Sequence, residues 1–330
     1  ILTKKKKVKD CLFITSHVFN RIRKIAEKAV VGKDILFTFQ TQSLFDASIS
    51  GIPHFVYTDH TFLENQRYPD FSSSKMPSEK WLKMEMAVYH NAAVNFTMSS
   101  NISSSLINDY GIDKSRIFNA GAGSNLLFHP IMKRKRNYSG RNVLFVGARW
   151  ERKGGPMLIE AFLKVIKTFP DAKLTIIGSS PVINHPNIKV MGKLPLDEVM
   201  KYYADASIFC LPTRLEPFGI VFIEAMMFSL PVIATGIGAI PDLITDGENG
   251  IIIKSDDQEH LTAALSEMLS DPEKCRKYGE AGYLKYSNGY TWEKVGQKMS
   301  ERIKSVLSAA PDRINALRPA HSVSSAQKIK

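Results

Sequence analysis

The stretch SIFCLPTRLEPFGIVFIEAMMFSLPVIAT, residues 207–235, decides the fold. Ile208-Phe209-Cys210-Leu211 is a short apolar run and reads as a buried strand. Pro212-Thr213-Arg214 breaks it, and Glu216-Pro217-Phe218-Gly219 leads into a helix from Ile220 to Phe228. A second buried strand runs from Pro231 to Ala234. Strand, polar loop, helix, strand is one βαβ unit of a parallel sheet. Ile220–Phe228 is rich in β-branched and aromatic residues, which favour strand. The helix is preferred because the two flanking strands already fill the sheet.

In such sheets ligands bind beyond the carboxyl ends of the strands, where loops meet helix N-termini. That place holds Glu216, Gly219 and, eight positions after the first acid, Glu224. Gly219 has no Cβ and admits a close ligand. The amides of Gly219, Ile220 and Val221 are unpaired donors at the helix start and suit a phosphate or sugar oxygen. A carboxylate at 224 can accept bonds from two neighbouring hydroxyls, as on a ribose. Spacing alone equally allows Glu216 as a first-turn acid favoured by the helix dipole and Glu224 as a solvated helix residue.

With 330 residues the chain can build two domains with proper cores. It has no run of about 18 uncharged apolar residues, and ILTKKKKVKD at the start has no apolar segment behind it, so neither a transmembrane helix nor a signal peptide is expected. The first residue is not Met, so the sequence can be a fragment. Cys11, Cys210 and Cys275 are scattered and odd in number, which argues against a disulfide framework and makes the cytoplasm the expected compartment. Net charge is +12, with runs at Lys4–Lys7 and Lys133–Arg136. This suits anionic partners, including an anionic membrane face touched peripherally, although both runs can equally be solvated loops. Neither run is interleaved with base-stacking aromatics, so nucleic acid is not expected.

Taken in order, strands are expected at 11–15, 35–39, 54–58, 94–99 and 117–121, and helices at 18–31, 40–51, 81–93 and 101–110. His60 follows the strand 54–58, where a ligand would sit, or else it caps and packs. Residues 63–78, polar with two prolines, are expected to form a long loop, either mobile or facing an acceptor. Residues 130–141 are basic and lack apolar periodicity. The chain is therefore divided into an N-terminal domain 1–130, a linker 131–141, a C-terminal domain 142–308 and a polar tail 309–330. In the second half, strands are expected at 142–147, 173–178, 187–192 and 251–254, and helices at 157–169, 195–205, 256–269 and 290–307. After strand 142–147, Arg149, Arg152 and Lys153 precede Gly154-Gly155, a basic turn able to meet a diphosphate. Neither a P-loop nor a G-x-G-x-x-G fingerprint is present, and the turn taken alone is equally a solvated one.

The segment E-P-F-G-I-V-F-I-E-A-M with L-P-V-I-A-T behind it (216–235) resembles the E-x7-E signature of retaining nucleotide-sugar glycosyltransferases of the GT-B fold, family 4. The glycine-rich turn TGIGAIPDLITDGENG (235–250) is also similar to that family's. The resemblance covers roughly residues 50–305 and is strongest from 142 to 254. It implies an α/β architecture of two Rossmann-like domains whose parallel sheets face a central cleft. It implies that Glu216 binds donor-sugar hydroxyls, that amides from Phe218 through Gly219 and Ile220 to Val221 hold sugar and phosphate, and that Glu224 meets the ribose. Lys153 would bind the donor diphosphate. The family's partner Arg follows the strand's glycine, but Ala148 stands there, leaving Arg149 or Arg152 to serve. Gly192-Lys193-Leu194 matches, weakly, the loop that meets the base. His60 would contact the sugar near its anomeric carbon. The family's first strand and glycine-rich loop have no counterpart before Cys11.

The resemblance thus implies an enzyme moving a hexose from a UDP- or GDP-sugar to a glycan or lipid-linked acceptor. No D-x-D and no metal-ligand cluster is visible, so no metal or other cofactor is expected. Two other readings stand beside it: a nucleotide-sugar epimerase of the same architecture, and a non-catalytic basic module binding phosphoglycans.

Overall fold

The computed structural model describes residues 15–69, 71, 77–127, 131 and 136–309. Residues 11–14 of the expected strand and the tail beyond 309 lie outside these residues, and Thr15 caps the first helix, its hydroxyl accepting from Val18 N. Two parallel sheets organise the rest. The N-terminal sheet runs β1 (Thr38–Thr41), β2 (His54–Thr58), β3 (Val94–Thr97), β4 (Ile117–Asn119), in that spatial order. It carries helices α1 (Ser16–Val30), α2 (Glu79–Asn91) and α3 (Ser100–Asn108). The C-terminal sheet contains β5 (Asn142–Val146), β6 (Lys173–Ile177), β7 (Ile188–Gly192), β8 (Ile208–Leu211), β9 (Val232–Thr235) and β10 (Gly250–Ile253). Its spatial order is β10-β9-β8-β5-β6-β7, all parallel. Helices α4 (Gly155–Val165), α5 (Leu196–Asp205), α6 (Ile220–Met227), α7 (Ile240–Leu243), α8 (Gln258–Ser270), α9 (Pro272–Gly289) and α10 (Trp292–Ser308) complete it.

This order fixes where a ligand can go. From β5 the chain winds outward through β6 and β7, then returns to β8 on the other side of β5. The crossovers after β5 and β8 therefore leave a crevice between them, the topological switch point of the sheet. Lys153 follows β5 and Glu216 follows β8, so both flank that crevice.

The cores follow from alternation along the strands. On one face of the N-terminal sheet Val56 packs with Phe19, Val88, Tyr89, Leu106 and Tyr110 of the helical layer. On the other, Phe55, Tyr57, Val94 and Phe96 meet Val295, Met299, Ile303 and Val306, a helical-period stripe of α10. The last helix thus crosses back and covers the N-terminal sheet, although sequence order attaches it to the second domain. Its entry passes so near the end of the N-terminal sheet that a Cβ on Gly123 would lie 2.5 Å from the Trp292 indole. The larger C-terminal core gathers both faces of its sheet.

Several local expectations are corrected. Residues 40–51 form no helix: the Gln40 side-chain amide donates to the carbonyls of Gln42 and Phe45 at 2.8 and 2.9 Å and accepts from Ala47 N at 2.9 Å. A side chain here does the work of helical backbone bonds, with Gln42 at φ 67°. The first strand begins at Thr38, three residues later than expected. Of the expected linker, Arg136 is not a solvated charge. It donates to the carbonyls of Tyr203 and Ala206 at 3.1 and 2.5 Å at the end of α5, and burial pulls its guanidinium down to about 10. Lys133, Arg134 and Lys135 lie outside the described residues. Among the described residues no helix is long and apolar enough to cross a membrane.

Candidate active site

The turn after β5 is held tightly against the loop after β8. Lys153 N and Gly155 N bond back to the carbonyls of Arg149 and Trp150 at 2.8 and 3.0 Å. Gly154 has φ 73°, and a Cβ there would sit 1.9 Å from the Pro212 carbonyl oxygen. The glycine pair is therefore demanded by backbone packing between the two loops. Arg214 N and Thr213 Oγ1 both donate to the Arg152 carbonyl, at 2.9 and 3.3 Å. This zipper brings the Lys153 ammonium onto the Glu216 carboxylate Oε2 in a charge-assisted hydrogen bond. Both residues are buried, at 8% and 5% exposure. Burial lowers the Lys153 pKa from its usual range, and the charge of Glu216 opposes that shift. Arg152 Nη1 donates to the Leu215 carbonyl at 3.2 Å, beside Glu216, whereas Arg149 and Ala148 stand exposed.

Glu216 precedes the helix: α6 starts at Ile220 behind Gly219, an N-cap at φ 87°. Reading Glu216 as a first-turn acid therefore fails. Phe218 is buried, while Ile220 and Val221 are half-buried at the helix mouth. Glu224 is not a solvated helix residue. It is buried, accepts a bond from the Tyr203 hydroxyl at 3.0 Å, and burial lifts its carboxyl to about 7. Gly192, Lys193 and Leu194 end β7 at the far edge of the sheet, with β5 and β6 between them and the loop of Glu216.

The N-terminal domain reaches the same crevice. Tyr68 donates to the Glu216 carbonyl at 3.2 Å. Gly238, at φ 55°, completes the knot: a Cβ there would fall 2.0 Å from that carbonyl oxygen and 2.9 Å from the Tyr68 hydroxyl. A second bridge joins the domains where Asp242 of α7 accepts from Ser100 N and Ser100 Oγ, both at 2.6 Å, at the start of α3. His60 follows β2, and its Nε2 lies 3.2 Å from Asn65 Nδ2, in the turn that carries Tyr68. Burial lowers the His60 pKa, and Asp59 opposes it. The structure thus joins Lys153 to Glu216 directly and links His60 to them through the segment 65–68. Tyr68, Tyr203 and the Ser100–Asp242 bridge had no signal in the sequence; only Tyr68's place in the loop 63–78 hinted that this segment faces the cleft.

The family model for glycosyl transferases group 1 matches residues 131–285. This part of the chain is similar to a group 1 glycosyltransferase domain. The chain is 32% identical over 176 residues to the GDP-mannose-dependent monoacylated alpha-(1-6)-phosphatidylinositol monomannoside mannosyltransferase of Corynebacterium glutamicum, covering 48% of this chain and 45% of that protein. The chain spans about half the length of the curated relatives it matches, at 44–45% of each of three. Whole-chain likeness lies in the fold. Sucrose-phosphate synthase from Thermosynechococcus elongatus superposes with TM-score 0.69 and 18% identity over 94% of this chain and 81% of that one. Anabaena Alr3699/HepE, determined in complex with UDP, gives TM-score 0.61 and 16% identity over 77% and 72%. The group 1 domain and its N-terminal companion form a GT-B fold.

Proposed function

We propose that the chain transfers a hexose from a UDP- or GDP-sugar to a glycan or lipid-linked acceptor, with retention at the anomeric carbon and without a metal ion. The observation that carries this reading is the buried Lys153–Glu216 pair at the switch point of the group 1 domain. A cation for a diphosphate and an acid for sugar hydroxyls stand side by side where such sheets bind ligands.

In this reading the donor separates the pair. Lys153 and Arg152 take the diphosphate, and Glu216 takes sugar hydroxyls. The amides from Phe218 to Val221 hold the phosphate–sugar junction, Glu224 accepts from the ribose, and Gly192–Leu194 border the base. Arg152 fits the diphosphate role better than Arg149 because it bonds the residue before Glu216. His60 lies against the anomeric centre. The acceptor hydroxyl oxygen bonds that carbon as its bond to the diphosphate oxygen breaks. The hydroxyl proton passes to the departing phosphate, whose charge Lys153 and Arg152 stabilise. Closure through Tyr68 and the Ser100–Asp242 bridge keeps water from competing as acceptor. The net charge of +12 suits an acceptor presented at an anionic cytoplasmic membrane face.

The test is turnover of a panel of UDP- and GDP-sugars against glycan and lipid-linked acceptors, with and without EDTA, and the anomeric configuration of the product read by NMR. One donor turned over only with acceptor, unaffected by EDTA and giving a retained anomer, supports the reading. Inversion, EDTA sensitivity or donor turnover without acceptor overturns it.

A further inference from the structure

Glu85 lies at the centre of α2, fully buried, and nothing in the site above uses it. Its Oε1 accepts from Ser43 Oγ at 2.8 Å and from the Phe62 amide at 3.4 Å, and its Oε2 accepts from the Tyr110 hydroxyl at 2.6 Å. The Tyr110 oxygen in turn accepts from the Leu63 amide at 3.3 Å. Around the same turn, Tyr89 donates to the His60 carbonyl at 3.1 Å, and Thr61 Oγ1 lies 2.7 Å from Ser105 Oγ. Each residue from His60 to Leu63 is therefore tied to a side chain from α2, α3 or the segment just after α3. A buried carboxylate is a poor choice for stability alone, because apolar packing of similar volume serves as well. What Glu85 and Tyr110 do specifically is to take the amides of the two residues that close the His60 turn.

We propose that Glu85, backed by Tyr110, is a positioning residue that fixes the His60–Leu63 turn, and with it the histidine ring at the mouth of the cleft. Its bearing on transfer rests on the function proposed above; its hold on the turn does not. The groups facing Glu85 are Ser43, Tyr89, Tyr110 and the Phe62 amide. Burial lifts the Glu85 carboxyl to about 7, while its hydroxyl and amide donors pull it back. All of its partners donate, so the carboxylate is the form that fits.

The experiment uses the full chain with Glu85→Gln and Tyr110→Phe. Hydrogen exchange at the Phe62 and Leu63 amides is followed in the unliganded protein, and kcat and KM are measured. The expected result is exchange at these two amides about tenfold faster in each variant, at unchanged exchange in the C-terminal sheet. In transfer, kcat falls about tenfold with donor KM unchanged. Wild-type exchange rates at Phe62 and Leu63 in both variants overturn the proposal, as does a wild-type kcat in Glu85→Gln. If the wild type transfers nothing, the function proposed above fails, and the exchange rates alone decide whether Glu85 holds the turn.

Discussion

Separating Lys153 from Glu216 costs stability by an amount that depends on pH. The two side chains are 10% and 7% exposed, so solvent screens their attraction little. Two unit charges in contact attract by roughly 5 kcal/mol at an effective dielectric near 20. Much of that is offset by desolvation while both are present, but deleting one partner strands the other and costs about 3 kcal/mol or more. For a domain of 150–250 residues each kcal/mol shifts the melting temperature by about 2–4 °C, so Glu216→Gln should lower it by roughly 6–12 °C at pH 7. Burial and the neighbouring charge of Arg152 then act unopposed on Lys153, whose pKa is already lowered with Glu216 present. A base with a depressed folded pKa regains stability as pH rises toward its unfolded value. The deficit should therefore narrow between pH 7 and 9.5, while the double variant Glu216→Gln with Lys153→Met loses less than the sum of its parts. The assay is differential scanning calorimetry of the wild type, both single variants and the double variant across pH. Additive losses, or a deficit independent of pH, would refute the buried pair.

How much of this was legible in the sequence depends on the range of the interactions. The apolar runs at 208–211 and 232–235 fix β8 and β9 locally. The β-branched helix α6 between them is imposed by the sheet, which overrides its propensity. Helix α9 was not expected, because Gly279, Gly282 and Gly289 weaken any helical reading. Gly279 is there for packing: a Cβ would fall 2.0 Å from the Ser229 carbonyl oxygen. The acids Glu216 and Glu224 were visible as a spaced pair, but their partners were not. Lys153 lies 63 residues from Glu216, and Tyr203 lies 21 from Glu224. Only the strand order brings these groups together, and no local pattern encodes it. The supposed helix at 40–51 failed for the opposite reason, since one side chain, Gln40, outcompetes the backbone.

Further outcomes follow from single side chains. The Glu224 carboxyl has a folded-state pKa of about 7 against an ordinary 4.5, so wild-type stability declines as pH rises through that window. Glu224→Gln removes the decline, and its melting temperature gains on the wild type from pH 5 to pH 8 by the equivalent of roughly 2–3 kcal/mol. Gly154→Ala meets both a left-handed φ of 73° and the Pro212 carbonyl at 1.9 Å, and chemical denaturation should show a loss of about 3 kcal/mol or more. Tyr68→Phe removes only the bond to the Glu216 carbonyl; the fold should survive, with thermal stability within about 1 kcal/mol of wild type and a donor KM raised severalfold. An unchanged KM in steady-state assays would remove Tyr68 from the account.

Whether Lys153 and Glu216 divide a nucleotide sugar between them, as proposed, is read out by calorimetric titration. Wild type and Glu216→Gln are each titrated with a nucleoside diphosphate and with the matching nucleotide sugar. The variant should lose about tenfold or more in affinity for the nucleotide sugar and keep its affinity for the nucleoside diphosphate. Equal losses for both ligands, or wild-type protein that binds neither, would contradict it.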